Sequence, residues 1–241
     1  MDGFAERLAR LTERIAVAAR RSGRDPATVR LLGVTKTRLP EEVAEAVRMG
    51  LDLFGENKVQ EARAKIPLCP SGAKWHFIGH LQSNKARHAA ALFSCVETID
   101  SIGIAEMLDR EAERCGRSLE VMIEVNVSGE RSKFGATPGD LPDLIVAANR
   151  LGRLRLTGLM TMAPFSEDPG AARPYFARLR ELRDDVTTRT GLVLPELSMG
   201  MSDDFEVAVE EGSTIIRIGT ALFGPRKSLM ARRGEDADEG P

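Results

Sequence analysis

The residues best suited to covalent chemistry in this sequence are the few reactive side chains that directly follow short apolar segments. The first is Lys36, which follows the apolar residues 29–34. A lysine that ends a buried strand is expected to be partly desolvated, and desolvation favours the neutral amine that imine formation requires. The alternative is an ordinary lysine at a rim with its ammonium group in water, and position alone leaves both interpretations open.

Two glycine-bearing segments near the C-terminus are candidates for phosphate binding. Ser202 follows the segment 193–199, and Gly219 and Thr220 follow the segment 213–218. Loops of this kind bind phosphate through exposed backbone N–H groups and a helix N-terminus. We expect Ser202 to cap the next helix, although Asp203 and Asp204 in its first turn would repel a dianion unless they face outward. Plain capping and a tight turn are the alternative.

Arg217 stands in an otherwise apolar segment, with Ile215, Ile216 and Ile218 around it. A buried arginine is costly unless it is paired, so it requires an acceptor inside the fold or else points to the surface. His76 and His80 are four residues apart, but the residues between them are typical of a strand and a turn. The helical zinc pattern therefore does not apply, and we expect no metal.

The elements that must position these residues are strands alternating with helices. Phe4, Leu8, Leu11, Ile15 and Ala19 recur with the period of an N-terminal amphipathic helix. The candidate strands are 29–34, 51–55, 75–79, 94–99, 119–127, 154–160, 193–199 and 213–218. Strands that alternate with helices pair in parallel, and eight units close a barrel, so we predict a single-domain (β/α)8 barrel with an extra N-terminal helix. An open sheet of six or seven strands is the alternative.

The barrel is expected to span residues 1–228, followed by a disordered tail at 229–241. A polar loop at 128–135 is long enough to reach over the barrel mouth. At a formal net charge of -2 the chain has no electrostatic drive toward nucleic acid or anionic membranes. The three widely spaced cysteines, Cys69, Cys95 and Cys115, favour a reducing compartment. A signal peptide and a membrane span are not indicated, so we expect a cytoplasmic protein.

Six segments carry a resemblance to the pyridoxal phosphate homeostasis proteins, a family that binds pyridoxal 5′-phosphate (PLP). They are Gly33-Val34-Thr35-Lys36-Thr37, residues 54–61 (FGENKVQE), residues 75–85 (WHFIGHLQSNK), Gly158-Leu159-Met160-Thr161-Met162, residues 197–205 (LSMGMSDDF) and residues 212–224 (GSTIIRIGTALFG). They run in order across most of the chain. Thr35 stands where a serine is common and Lys58 where an aromatic residue is common.

The resemblance implies a role for each candidate residue, on a barrel of the alanine racemase N-terminal type. Lys36 would form the internal aldimine, and Ser202, Gly219 and Thr220 would hold the phosphate. Arg217 would face the pyridine nitrogen, while Asn57 and His80 would line the pocket. An arginine at that nitrogen weakens the cofactor as an electron sink. Lys133, on the loop over the mouth, would help PLP enter or leave.

The resemblance also implies a carrier that supplies PLP to apo-enzymes, and we expect it to be a monomer. Related racemases need a general acid or base on the opposite face of the ring, usually a tyrosine. The one tyrosine here, Tyr175, falls in a predicted outer helix. A PLP-dependent amino-acid racemase or transaminating enzyme of low activity remains the alternative. A Schiff-base aldolase or phosphate-binding barrel without PLP is a third, but it gives Arg217 no role.

Overall fold

Parallel strands form the centre of the fold in the computed structural model, which describes residues 3–130 and 132–225. The strands are Arg30–Val34 (β1), Leu53–Glu56 (β2), Lys74–Phe77 (β3), Cys95–Ile99 (β4), Leu119–Glu124 (β5), Leu154–Met160 (β6), Glu196–Ser198 (β7) and Ile215–Ile218 (β8). They pair in chain order, and β8 pairs with β1, so the barrel is closed. The predicted barrel is confirmed and the open sheet is wrong. The predicted tail at 229–241 lies outside the described residues.

Helices follow the strands around the outside of this barrel. They are Phe4–Arg21 (α1), Pro40–Arg48 (α2), Val59–Lys65 (α3), Ala86–Leu92 (α4), Ile102–Arg114 (α5), Leu141–Asn149 (α6), Arg173–Thr190 (α7), Phe205–Glu210 (α8) and Thr220–Phe223 (α9). Short 3-10 turns at Pro26–Thr28, Ile66–Leu68, Ser83–Lys85 and Pro169–Ala172 join some of them. The N-terminal helix α1 is present as predicted, and it packs against α8 and α9.

Apolar side chains fill two separate regions. The larger region lies between strands and helices and includes Phe54, Phe77 and Phe176. The smaller region, inside the barrel, consists of Leu32, Leu53, Ile78, Cys95, Met122 and Ile215. Successive residues of a strand point to opposite faces, which is why both regions are supplied by the same strands. The strands thus form a rigid ring whose carboxyl ends all open on the same side.

Several strands are shorter than the sequence predicts. The seventh was expected at 193–199, but only Glu196–Ser198 is extended in the ladder. The fifth ends at Glu124 rather than at 127, because the chain turns back there and Val125 bridges to Ala136. Among residues 3–130 and 132–225, no helix has the length and apolar character needed to cross a bilayer.

Candidate functional site

Lys36 lies at the carboxyl end of the barrel, two residues beyond β1. In the register of the barrel, Gly33 of β1 is opposite Ile218 of β8, and Val34 is opposite Gly55 of β2. The chain leaving β1 therefore emerges between the loops that follow β2 and β8. Those two loops carry Asn57, Gly219 and Thr220, so barrel closure brings four of the sequence-predicted residues to adjacent positions.

The side chain of Lys36 is exposed in this chain. The expectation that the end of β1 would partly desolvate the amine is therefore wrong. Thr35, one residue earlier, is fully buried, so the boundary between interior and solvent falls between these two residues. Lys36 and Thr37 form an exposed turn between β1 and α2.

Gly219 and Thr220 form the start of the short helix α9. Gly219 precedes the helix, and Thr220 is its first residue. A Cβ placed on Gly219 would lie 3.6 Å from Cβ of Val34, so the loop after β8 packs on the end of β1. The first N–H groups of any helix have no partner within that helix. This turn can therefore offer backbone donors and the exposed Thr220 hydroxyl to an anion near Lys36.

Ser202 does not cap the following helix, contrary to the sequence prediction. The helix α8 begins at Phe205, and Asp204 occupies the capping position. Oδ1 of Asp204 accepts a 2.6 Å hydrogen bond from the backbone N–H of Met201 and closes the turn that contains Ser202. Asp203 and Asp204 thus precede the helix rather than forming its first turn, and Asp203 is exposed. Ser202 itself is half-buried in this turn, and its place in a phosphate site stays a prediction.

Gly200 explains why the chain can make this turn. Its φ is +94°, in the left-handed region, and an added Cβ would lie 2.5 Å from Cβ of Ala208. Only glycine fits so close an approach at this backbone angle. The carbonyl of Gly200 accepts a 3.0 Å hydrogen bond from the backbone N–H of Arg217, so the turn bearing Ser202 is tied to β8.

Arg217 points into the barrel, as one of the two sequence interpretations predicts. It is 4% exposed. Its Nη1 donates to Oγ of Ser198 at 2.6 Å, and its Nη2 donates to the carbonyl of Thr161 at 2.8 Å. Burial lowers the pKa of Arg217, while the charges of Glu97 and Glu124 raise it. The acceptors that a buried arginine requires are therefore supplied by the chain itself.

Glu97 and His76 continue this network beneath the mouth. One oxygen of Glu97 lies 2.6 Å from Nδ1 of His76, and the other accepts a 2.5 Å hydrogen bond from Ser198. Burial raises the pKa of the Glu97 carboxyl, but the hydrogen bond and charge of His76 and the charge of Arg217 outweigh it, and the pKa lies below its ordinary value. His76 is on β3 and His80 is on the loop after it, which agrees with the strand-and-turn prediction.

Glu124 is the second buried carboxylate near Arg217. It ends β5 and is 3% exposed. Burial raises its pKa to about 7, although the charges of Arg217 and Lys133 oppose that shift and the charge of Asp100 adds to it. A carboxyl with this pKa exchanges its proton near neutral pH, at the edge of the candidate site.

Asn57 and His80 lie together on the other side of Lys36. They line a shared hollow of about 100 Å³. Gly79 makes this approach possible, because a Cβ there would lie 2.1 Å from the carbonyl oxygen of Asn57. The ring of His80 has Nδ1 3.5 Å from a carboxylate oxygen of Asp100. Oδ1 of Asn57 is buried and has no hydrogen-bond partner among the described residues, so its capacity as an acceptor is unused there.

The loop after β5 reaches over the mouth, in the position predicted for it. Phe134 stacks on His80, with ring centroids 3.8 Å apart and planes 13° apart. Asn126 shapes the loop: its Nδ2 donates to the carbonyl of Glu130 at 2.9 Å and to that of Lys133 at 3.3 Å. Lys133 lines a hollow of about 120 Å³ with Met201 and other residues of the neighbouring loops.

A buried ion-pair cluster beside Lys36 is the part of the site that sequence reasoning missed. Nζ of Lys65 lies 2.6 Å from Oε1 of Glu56, and both side chains are buried. Glu61 is the other acid of the cluster, with Oε1 3.1 Å from the same nitrogen. The signal available for this cluster was Glu56 at the end of an apolar segment, since a charged residue in a buried strand requires a partner. Glu97, within Cys95-Val96-Glu97-Thr98-Ile99, gave the same signal for the network around Arg217.

Comparisons with known proteins agree with this architecture. The family model described as "Alanine racemase, N-terminal domain" matches residues 7–227. A pyridoxal phosphate homeostasis protein of Pseudomonas aeruginosa is 48% identical over 227 residues, covering 94% of this chain and 97% of that protein. One from Aquifex aeolicus is 44% identical over 223 residues, covering 92% of this chain and 98% of that protein.

A solved structure shows the same likeness. PipY of Synechococcus elongatus PCC7942, with PLP bound, superposes with a TM-score of 0.79 at 37% sequence identity, covering 92% of this chain and 100% of that chain. The matches extend over nearly the whole length on both sides, and they include the six segments that carry the candidate residues. The chain therefore belongs to the family of pyridoxal phosphate homeostasis proteins, with a barrel of the alanine racemase N-terminal type.

Proposed function

We propose that this chain binds PLP covalently through Lys36 and acts as a carrier of the cofactor. The observation that supports this most directly is the register of β8, β1 and β2, which places Lys36 between Asn57 on one side and the Gly219–Thr220 turn on the other. Close relatives are named for PLP homeostasis, and one has been solved with PLP bound. PLP, when bound, supplies an aldehyde that condenses with a primary amine and releases water.

The residues at the mouth fit such a cofactor in three respects. Thr220 and the first N–H groups of α9 suit a phosphate, and Ser202 lies on the adjoining turn, which the Gly200–Arg217 bond ties to β8. Arg217 is a buried cation suited to a pyridine nitrogen that carries no proton. Asn57 presents a buried amide oxygen with no partner among the described residues.

Reduction with borohydride tests the attachment. The purified chain is incubated with PLP, freed of excess cofactor, reduced and weighed by intact-mass spectrometry. We expect one pyridoxyl adduct on the wild type and none on Lys36→Ala. Lys58→Ala is the matched control, since Lys58 is an exposed lysine on the neighbouring loop, and it should keep the adduct. A wild type without an adduct, or an equal adduct on Lys36→Ala, would disprove the proposal.

A carrier role, rather than catalysis, is the second part of the proposal. It is supported by the names of the relatives and by the place of Tyr175, which lies on the outer helix α7 and packs against the apolar region between strands and helices. Arg217 supports PLP over other phosphate ligands less strongly than the sequence alone suggested, because its guanidinium already donates hydrogen bonds to Ser198 and Thr161.

Two assays address this role. Holo-protein incubated with single L-amino acids in deuterated water should show no enzyme-like exchange of the α-hydrogen; rapid exchange would instead favour a racemase or a transaminating enzyme. Holo-protein mixed with a PLP-dependent apo-enzyme should restore that enzyme's activity, and Lys36→Ala treated in the same way should not. The cytoplasmic location and the monomeric state stay predictions.

A further inference from the structure

Lys65 is a buried lysine with a complete set of hydrogen bonds. It ends α3 and is 6% exposed. Its Nζ donates to the backbone carbonyl of Thr35 at 2.6 Å, to Oε1 of Glu56 at 2.6 Å and to Oε1 of Glu61 at 3.1 Å. A lysine ammonium has three donors, so these bonds use all of them. The geometry is that of a fixed cation rather than a flexible surface charge.

The cluster formed by Lys65, Glu56 and Glu61 binds the chain on both sides of Lys36. On the near side, Oγ1 of Thr35 donates to Oε1 of Glu56 at 2.6 Å, in addition to the bond from Lys65 to the Thr35 carbonyl. On the far side, the backbone N–H of Thr37 donates a short hydrogen bond to Oε1 of Glu61. The residues before and after Lys36 are therefore anchored to one buried charge cluster.

The backbone at Thr37 shows that this anchoring is needed. Its φ is 65°, and it is the only non-glycine residue with positive φ among residues 3–130 and 132–225. A β-branched residue rarely adopts this conformation, and such strain persists only where the surrounding contacts over-determine it. The bond from Thr37 to Glu61 is one such contact.

We propose that Glu61 and Lys65 are positioning residues that fix the Thr35–Thr37 turn and so hold Nζ of Lys36 over the barrel mouth. This inference rests on the proposed covalent attachment of PLP to Lys36. In that step the Lys36 nitrogen forms a C=N bond with the aldehyde carbon, and the aldehyde oxygen leaves as water with the two amine hydrogens. A fixed turn restricts the directions open to Lys36, which favours the attached state and slows release of the cofactor.

Glu61 is the residue to change, because it is partly exposed and its loss leaves the Lys65–Glu56 pair in place. Glu61→Ala removes the acceptor of the Thr37 N–H, whereas Glu61→Gln keeps an oxygen there. Glu61→Asp keeps the charge but shortens the side chain by one carbon. Arg63→Ala, at an exposed position of the same helix, is the matched control.

The readout is the rate at which each PLP-loaded protein gives up its cofactor to hydroxylamine, followed by the loss of the protein-bound chromophore. We expect all four variants to accept PLP on Lys36. Release should be about tenfold faster for Glu61→Ala, which is the fold-change expected when the Thr37 N–H loses this acceptor, and intermediate for Glu61→Asp. Glu61→Gln and Arg63→Ala should release PLP at the wild-type rate.

Three outcomes separate the possibilities. Equal release rates for wild type and Glu61→Ala would overturn the positioning role while leaving attachment at Lys36 intact. Release from Glu61→Gln as fast as from Glu61→Ala would also overturn it, because the retained acceptor would then be irrelevant. A wild type that takes up no PLP would instead refute the proposed function itself. Thermal unfolding of each apo-variant, with midpoints expected close to the wild type, separates positioning from a general loss of structure.

Discussion

Glu56, which ends β2, and Glu97, on β4, are both completely buried, yet the pKa values of their carboxyl groups move in opposite directions. Both oxygens of Glu97 have partners, His76 and Ser198, and the charge of Arg217 is close by. The bonds of Glu56 converge on Oε1, while Oε2 has no partner among the described residues. Burial therefore raises the pKa of Glu56 more than Lys65 and Thr35 lower it.

The difference shows that the pKa of a buried carboxyl is lowered when donors reach both of its oxygens and a further cation lies nearby, and is raised when the donors converge on one oxygen. The cluster inside the barrel holds a fixed negative charge at Glu97 and supports Arg217. The cluster between barrel and α3 holds a carboxylate that accepts a proton more readily. Four experiments test this comparison.

The largest expected effect comes from removing the Glu97 carboxylate from the cluster inside the barrel, here called the inner cluster. Glu97→Leu removes the hydrogen-bond partner of His76 and Ser198 and leaves the buried Arg217 without this neighbouring negative charge, so the free energy of unfolding should fall by about 3–5 kcal/mol. Urea denaturation at neutral pH measures this change. Glu106→Leu, at an exposed position on α5, should change the same quantity by less than about 0.5 kcal/mol. A loss for Glu97→Leu as small as that for Glu106→Leu would show that the cluster inside the barrel contributes no net stabilisation.

Glu124, whose carboxyl interacts with the charge of Arg217, allows the pH dependence of the free energy of unfolding to be tested in the same cluster. Its pKa is raised from 4.5 to about 7, so the folded chain binds this proton more tightly than the unfolded chain does. The free energy of unfolding should therefore fall as pH rises between these two values, by up to about 3 kcal/mol. Glu124→Gln cannot ionise and should lack this fall, so denaturation of both proteins across this pH range should give diverging curves. Parallel curves would contradict the assignment.

The outer cluster should lose less when its cation is removed. Lys65→Met leaves Glu56 without its cation, but that carboxyl can take up a proton, which limits the cost to about 2 kcal/mol at neutral pH. The cost should shrink as the pH is lowered, because protonated Glu56 needs no counterion. Lys58→Met at an exposed site serves as the control. A loss as large as that of Glu97→Leu would remove the distinction between the clusters.

The smallest expected effect is on the pH dependence of the free energy of unfolding, which should have opposite signs for Glu56 and Glu97. Since the pKa of Glu56 is raised in the folded state, wild type should lose stability relative to Glu56→Gln as pH rises above 4.5, the ordinary value. Since the pKa of Glu97 is lowered in the folded state, its contribution to the free energy of unfolding is present above pH 4.5 and is lost as pH falls below that value. Wild type should therefore gain stability relative to Glu97→Gln as pH rises. Denaturation of each pair of proteins across this pH range measures the two slopes. Slopes of the same sign would refute the comparison.

Much of the fold could be predicted from the sequence because alternating strands and helices have distinct periodicities. The closed barrel and the N-terminal helix follow from local pattern, whereas the inward direction of Arg217 was one of two interpretations that the sequence left open. Strand ends were less predictable: the seventh strand is confined to Glu196–Ser198 although apolar residues flank it. Local composition does not reveal where a neighbouring strand stops accepting hydrogen bonds.

The site was predictable as a set of positions but not as a geometry. Ser202 was expected to cap α8 because serine is a favoured capping residue, yet the left-handed Gly200 and the hydrogen bond from the Met201 N–H to Asp204 place the cap two residues later. The Lys65–Glu56 pair was missed because it joins the end of a helix to the end of a strand, and no spacing rule relates them. The exposure of Lys36 likewise depends on a turn that the sequence does not signal.

The seam where the barrel closes has a consequence for how the molecule folds. Phe4 of α1 packs on Phe223 of α9 with ring centroids 5.5 Å apart, and β1 pairs with β8. These contacts join residues separated by nearly the whole polypeptide, so loop closure over that distance must precede them. During synthesis the edge of β1 that pairs with β8 therefore stays unpaired until β8 has left the ribosome. A circular permutant that joins the two termini and opens the chain elsewhere would leave a different strand with an unpaired edge during synthesis.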